Sequence, residues 1–404
     1  MKQKIFFLLL AIIANVGTTL ASVKIGDLCY NLNETDLTAE VTYETKMYAE
    51  DNYLGLTKVN IPAVVDYDGK TYQVASIGYA AFAIAQNLTS VTIPNTVSVI
   101  GVDGFRACEN LVKVTIPYGV KSINDMAFAF CTKLTSIAIP TSVINITSEV
   151  FYGCENIAPV YNSKFFIYLP KTYSGKYILP DGIIRIIDEA FKDCKKLTHV
   201  TIPNSVVTIG KLAFYGCSKL ASVSIGNHVS SIGEMAFSNC SSLTAITLPN
   251  SVKSIGGNAF EDCTNLNSVV ISNQVDTISY KTFAYCKNMR SITIPYGVKV
   301  IDGAFVGCSE LTDISIPGSV TTIGDGTFND CTNLINISLP NSVTTIGENA
   351  FWGCQSLTSL IIPKSVTSIA AGGTFSDCKS LTLQLPDWFR GNVNVKDCRE
   401  VIYY

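Results

Sequence analysis

Leu334 to Cys354 reads LINISLPNSVTTIGENAFWGC, and two further stretches, Leu243 to Cys263 (LTAITLPNSVKSIGGNAFEDC) and Leu197 to Cys217 (LTHVTIPNSVVTIGKLAFYGC), repeat it closely. Aligned on the Phe near the end of the unit, the chain places Phe at 82, 105, 128, 151, 191, 214, 237, 260, 283, 305, 328, 351 and 375, a usual step of 23 residues. From Phe105 onward each is followed three residues later by Cys, which accounts for twelve of the fourteen cysteines; Ala85 holds that slot in the first copy. Self-similarity at this period marks a solenoid, in which each unit is one coil and buries its apolar side chains only against its neighbours.

Within a unit the pattern is that of short strands. Leu197, Val200 and Ile202 alternate with Thr198, His199 and Thr201, which gives one apolar face at a period of two. Pro203 ends the strand because it lacks the N–H of a further ladder bond. A second extended segment follows, with Val206 and Ile209 inward, and Gly210 permits the next turn. Ala213, Phe214 and Cys217 are spaced as a short helical or 3-10 turn. The expected architecture is a repeat solenoid, mostly β, of about 13 coils of 23 residues over residues 75–386.

The step from Phe151 to Phe191 is 40 residues, and the extra segment, about 157–177, carries Tyr161, Phe165, Phe166 and Tyr168 before the turn-prone Thr172 to Gly175, as a hairpin-like insertion would. Residues 22–74 alternate apolar and polar positions, with an Asp68-Gly69 turn, and read as a small N-terminal β cap. Residues 387–404 form a degenerate last unit, with Val395 and Cys398 in the Phe and Cys slots, and read as the C-terminal cap. Lys2 and Lys4, the apolar run Ile5 to Ala14 and the small residues up to Ala21 have the order of a secretory signal peptide, 1–21. That run is shorter than the roughly 20 residues a membrane span requires, so no membrane span is expected in the mature chain.

The 48% hydrophobic and 15% charged composition suits a folded chain with a long core. With 29 basic and 32 acidic residues intermixed, no basic stripe is available for phosphates, which excludes nucleic acid as a partner. The string L-T-x-I-x-I-P-x-S-V-x-x-I-G-x-x-A-F-x-x-C at this period resembles the BspA-like leucine-rich repeats. The insertion leading into Tyr177-Ile-Leu-Pro-Asp-Gly182 and the segment Asp68-Gly-Lys-Thr-Tyr72 are similar to parts of the same family. The resemblance implies a leucine-rich-repeat array on a secreted or cell-surface protein, and for some members attachment to host matrix proteins or other cells.

The cysteine column invites a metal or disulfide reading, and geometry argues against both. Equivalent side chains in stacked coils point the same way rather than converging, no CxxC or His-Cys cluster is present, and a buried thiol packs as a small hydrophobe, as Ala85 in the slot indicates. Cys29, outside the column, is the thiol expected to behave differently. The two histidines, His199 and His228, have no partners at triad spacing, and the carboxylates are scattered over turns, so no enzymatic role, metal or cofactor is expected.

What remains is the surface. The outward strand positions are small and polar: Ser90 and Thr92, Lys113 and Thr115, His199 and Thr201, Ser222 and Ser224, Ser291 and Thr293, Asp313 and Ser315, Asn336 and Ser338. The candidate binding residues are His199 and Thr201 on this face, the bulky residues beside Phe, namely Tyr152, Tyr215, Tyr285 and Trp352, and the post-proline Tyr118 and Tyr296. The expected function is adhesin-like recognition of a protein or glycan macromolecule outside the cell. A structural component of the envelope or matrix is the second reading, and a carbohydrate-active enzyme or its accessory subunit the remote one.

Overall fold

The computed structural model describes residues 22–404, so the signal peptide read in 1–21 lies outside the described residues. The chain divides into two compact units that part between Val160 and Tyr161. Both are β-solenoid, and a single coil shows why. In the coil containing strand Asn336–Ser338, Leu334, Ile337 and Leu339 point inward and are buried, while Asn336 and Ser338 are exposed. The strand pairs in parallel, in register, with Asp313–Ser315 of the coil before it, and Asn336 pairs with Ser359 of the coil after it. Past Pro340 a turn closes from Val343 N–H to the Pro340 carbonyl, 3.1 Å. The two-residue strand Thr345–Ile346 then pairs with Thr322–Ile323 and Ser368–Ile369. Such a coil contributes one strand to each of two parallel ladders, the arrangement a 23-residue unit with two short apolar alternations dictates.

The first unit begins with the antiparallel strands Val23–Ile25, Leu28–Asn33 and Thr38–Thr42. Thr38–Thr42 pairs in parallel with Lys70–Ile77, which starts the ladder continued by Val99–Ile100, Ser122–Ile123 and Asn145–Ile146. In the second unit the residues inserted between Phe151 and Phe191 are part of the body. Phe165–Tyr168 pairs with Arg185–Ile186, and Gly175–Ile178 takes the first-strand place beside Leu197–Thr201.

The corner that carries Phe departs from the expected helical turn. Among the described residues the sole helical element is the 3-10 turn Asp387–Phe389. The N–H groups of Leu212, Phe214 and Gly216 donate across to Glu234, Ala236 and Ser238 of the next coil, while those of Tyr215 and Cys217 close i→i+3 turns on Leu212 and Phe214. Leu212 and Gly216 hold φ of 55° and 71°, in the left-handed region, which is what alternates the N–H directions and stops a helix. The residue before Cys is left-handed throughout the array, for instance Asp193, Asn239, Asp262 and Asp330. Asp, Asn and Gly tolerate this region best. The corner is therefore a ribbon of turns sewn to its neighbour, and its sequence mark is the Asp, Asn or Gly before Cys, replaced only by Ala107, Phe130 and Tyr285.

The core is a column of rings. In the first unit Tyr53, Phe82, Phe105, Phe128 and Phe151 follow one another at centroid distances of 5.1, 5.1, 5.2 and 5.8 Å. In the second unit Phe166 from the inserted segment lies 4.5 Å from Phe191, and near-parallel rings continue to Phe375 at spacings of up to 5.9 Å. Such pairs contribute about 0.5–1.5 kcal/mol each beyond their area burial. The cysteines are more than filler. Each column thiol of the second unit from Cys217 to Cys378 donates to the carbonyl of the Phe one coil back, as Cys240 does to Phe214 and Cys263 to Phe237, both at 3.2 Å. The same Phe214 carbonyl accepts the Cys217 N–H, so a backbone acceptor sealed in the core is used twice. Ser251, Ser342 and Ser365, in the Asn/Lys-Ser-Val stretch, likewise donate one coil back, to the carbonyls of Val229, Val320 and Val343.

All fourteen cysteines are free thiols, thirteen of them buried. Cys29, expected to stand apart, is buried at 6% exposure beneath Tyr53, whose hydroxyl accepts its N–H; the half-buried thiol is Cys398. Desolvation pushes Cys108, Cys154 and Cys263 from 9.0 up to about 12, and Cys398 to about 11. The folded chain therefore keeps its thiols protonated where the unfolded chain ionises them, so stability is full below pH 9.0 and falls as pH rises from there toward about 12. Denaturant midpoints measured from pH 7 to 11 are expected to be level to about 9 and then to drop, and a Cys240→Ala, Cys263→Ala variant to drop less steeply. Native labelling with a thiol reagent is expected to reach Cys398 before any column cysteine.

Candidate functional site: a polar groove on the strand face

The first-strand ladder presents two in-register rows of outward side chains. In the first unit these are Lys58, Ser90 and Lys113 beside Asn60, Thr92 and Thr115. In the second unit Lys176, His199 and Ser222 stand beside Ile178, Thr201 and Ser224. Further along, Asp313, Asn336 and Ser359 stand beside Ser315, Ser338 and Ile361. Here the face is hollowed into a cleft of about 700 Å³ lined by Asn336, Ser338, Asn341, Ser359, Ile361, Pro363, Lys364 and Tyr404, adjoining one of about 410 Å³ that adds Asp313 and Ser315.

Tyr404 makes the wall of the larger cleft and is anchored through both its backbone and its side chain. The strand Glu400–Tyr403 pairs with Thr382–Leu385, the Tyr404 N–H donates to Leu385, and its carbonyl accepts from Asp387. Its hydroxyl donates to the Ile362 carbonyl at 2.7 Å, and the Lys364 ammonium lies 5.2 Å from the ring centroid. The floor is the face of paired strands, so what it turns toward a ligand is their outward side chains. Amides, hydroxyls, one carboxylate and one ammonium can hydrogen-bond a ligand; they do not form a paired acid and base.

The structure distributes the sequence candidates over three places. His199 and Thr201 share the strand face, half-buried and exposed respectively, with the His199 Nδ1 at 2.9 Å from the Thr198 hydroxyl. His228, by contrast, sits in a turn with Nδ1 at 2.8 Å from the Asn204 carbonyl. Tyr118 and Tyr296 follow proline in turns and stand out at 70% and 75% exposure. Tyr152, Tyr215, Tyr285 and Trp352 lie on the Phe corner. Tyr118 and Tyr152 belong to the first unit and the other six to the second.

On the corner, lateral packing is evident at two positions. The Tyr285 ring covers Gly307 of the next coil, where an added Cβ would lie 2.4 Å from it. Tyr152 meets Phe130 edge-on at 5.3 Å, and the Arg106 guanidinium lies 5.5 Å from Phe130 and 5.6 Å from Tyr48. Arg106 pairs with Asp103, which accepts from the Tyr48 hydroxyl, and Tyr48 shares a hydrogen bond with Tyr79. Burial, then the Asp103 carboxylate, hold the Tyr48 phenol far above its ordinary range. Apart from Tyr152, sequence reasoning missed this cluster, because its members come from the N-terminal segment and four successive coils with no shared motif. It also missed Asn341, Lys364 and Tyr404, although the alternation that aims Asn336 and Ser338 outward was plain.

A parallel two-ladder coil of this length with an alternating outward face defines a β-rich leucine-rich-repeat protein. The chain belongs to the BspA type leucine rich repeat family, whose model matches residues 75–173, 171–290 and 253–382. It is similar to the crystal structure of a leucine-rich repeat protein from Bacteroides ovatus, at 29% identity over 95% of this chain and 99% of that one, with a TM-score of 0.61. A leucine rich cell surface protein from Faecalibacterium prausnitzii is also 29% identical, over 79% of this chain and 94% of that one, with a TM-score of 0.41. A leucine-rich repeat protein of T. pallidum is 31% identical over 47% of this chain and 80% of that one, TM-score 0.36. No curated protein matches the chain.

The Tyr285 contact is open to a double-mutant cycle. Gly307 has φ of 66°, so Gly307→Ala brings both left-handed strain and a clash with the Tyr285 ring. The variant is expected to lose about 1–3 kcal/mol in denaturant unfolding, with part of the loss recovered in a Tyr285→Ala background. Full additivity would mean that the ring does not lie over Gly307.

Proposed function

We propose that the chain is an exported recognition protein that works at or outside the cell surface and holds a host or microbial macromolecule in the groove between Asp313 and Tyr404 on its second unit. The observation that carries this reading is the groove over Asp313, Asn336 and Ser338, built on two in-register rows and walled by an anchored Tyr404. A broad cleft of this kind suits a segment of a large partner better than an enclosed small molecule. Family membership, as a bacterial leucine-rich-repeat array, supports a binding scaffold. The segment 1–21 supports export. The two histidines bond locally, His199 to Thr198 and His228 to Asn204, and the groove is lined by amides and hydroxyls, which supports binding as its role.

Two measurements test it. Cell fractionation is expected to find the chain outside the cytoplasm with its N-terminus at or near Ser22. The purified protein is expected to bind saturably to at least one member of a panel of matrix proteins, plasma proteins and glycans. Ser338→Trp, which fills the groove at an exposed position, should abolish that binding, whereas Tyr215→Ala and Trp352→Ala on the corner should leave it within about twofold. Binding lost with the corner variants and kept with Ser338→Trp would move the site to the Phe corner. No binding to any of the panel would favour a structural role in the envelope or matrix.

A further inference from the structure

Resting on that reading, we propose that the occupant of the groove is a neutral glycan chain, lying across coils from the Asp313 cleft to the Tyr404 wall.

The floor first limits what can bind. An extended peptide gains affinity on a sheet by adding a strand at an open edge. The groove lies on the face of Asp313–Ser315, Asn336–Ser338 and Ser359–Ile361, which pair with one another (the last two through Asn336 and Ser359), so it offers a peptide the face of a sheet and not a free edge to ladder on. Protein hot spots are built on apolar pockets that bury an aromatic or aliphatic anchor. Here the exposed apolar lining is Ile361 and Tyr404, because Ile337, Leu339 and Pro363 in the larger cleft and Ile314 and Ile316 in the smaller are buried.

What the groove does offer matches a sugar. Asn336 and Asn341 each present an amide that donates and accepts at once, with Ser338 and Ser359 as hydroxyl partners. Adjacent sugar hydroxyls, each both donor and acceptor, complement such groups, and the carbon face of a pyranose complements the small apolar strip. The charge is balanced, with Asp313 in one cleft and Lys364 in the other, so the lining does not select a polyanion. Equivalent positions recur from coil to coil at about 4.8 Å, a periodic surface suited to a ligand that is itself a repeating chain.

The test uses the purified protein against immobilised neutral polysaccharides (β-glucan, mannan, galactan and xylan), with heparin as the polyanion and a panel of matrix and plasma proteins alongside. Saturable binding to a neutral polysaccharide is expected. It should weaken about tenfold in Asn336→Leu and in Asn341→Leu, which keep side-chain size and remove hydrogen bonding, and should survive Ser222→Trp, an exposed change elsewhere on the same face. Unaltered far-UV circular dichroism confirms that the variants fold. Binding to a protein, or preferentially to heparin, that is lost in Ser338→Trp would overturn the glycan and leave the groove as the site. Binding of any ligand that none of the groove variants weakens would overturn both the glycan and the groove.

Discussion

Everything in this molecule depends on coil-to-coil stacking, and its decisive contact is the Phe of one coil against the Phe of the next. No coil is self-sufficient: Leu334, Ile337, Phe351 and Cys354 are sealed only because neighbours lie above and below. Removing a buried Phe from such a site costs about 3–5 kcal/mol. The ring also carries the polar side of the stack, since its carbonyl accepts the N–H of the Cys three residues on and the thiol of the Cys one coil later. The thiol is small enough for the slot, apolar enough for the core and still a donor. Alanine satisfies the first two needs and serves at position 85, one coil after Tyr53 rather than after another Phe.

Much of this could be read from the amino acids. The 23-residue period, the outward and inward alternation around Ile337, and Pro340 as a strand end all follow from residue type and spacing. The corner could not be read as easily. Ala213, Phe214 and Cys217 have helical spacing, and the residues that forbid the helix, Leu212 and Gly216, do so through a left-handed backbone stabilised by hydrogen bonds to the next coil. The clue was the alternation of Gly, Asp and Asn before Cys, whose meaning depends on backbone sign rather than on hydrophobic period. The inserted segment read as a hairpin-like excursion, but its share in the core did not show for a similar reason: Phe166 joins the ring column out of step with the 23-residue count.

The site divides along the same line. Asp313, Asn336 and Ser338 were visible as outward residues because a strand's alternation is local. Tyr404 was visible only as part of a cap. Its place as a groove wall arises from pairing of Glu400–Tyr403 with Thr382–Leu385 and from its bond to Ile362, contacts that span up to 42 residues. The corner aromatics Tyr285 and Tyr152 show the converse. Bulk suggests an interface, while the structure sets one over Gly307 and the other against Phe130. Within the second unit the stack fixes the rows, and the rows fix the groove.

The most direct test of that account is site-directed photocrosslinking, with a photoreactive amino acid placed singly at Ser338, Ser222, Tyr215 or Trp352 and the protein bound to its partner. Crosslinks from Ser338, with few or none from the two corner positions, are predicted. Crosslinks from Tyr215 or Trp352 with none from Ser338 would contradict it, and would place recognition on the Phe corner instead of the strand face.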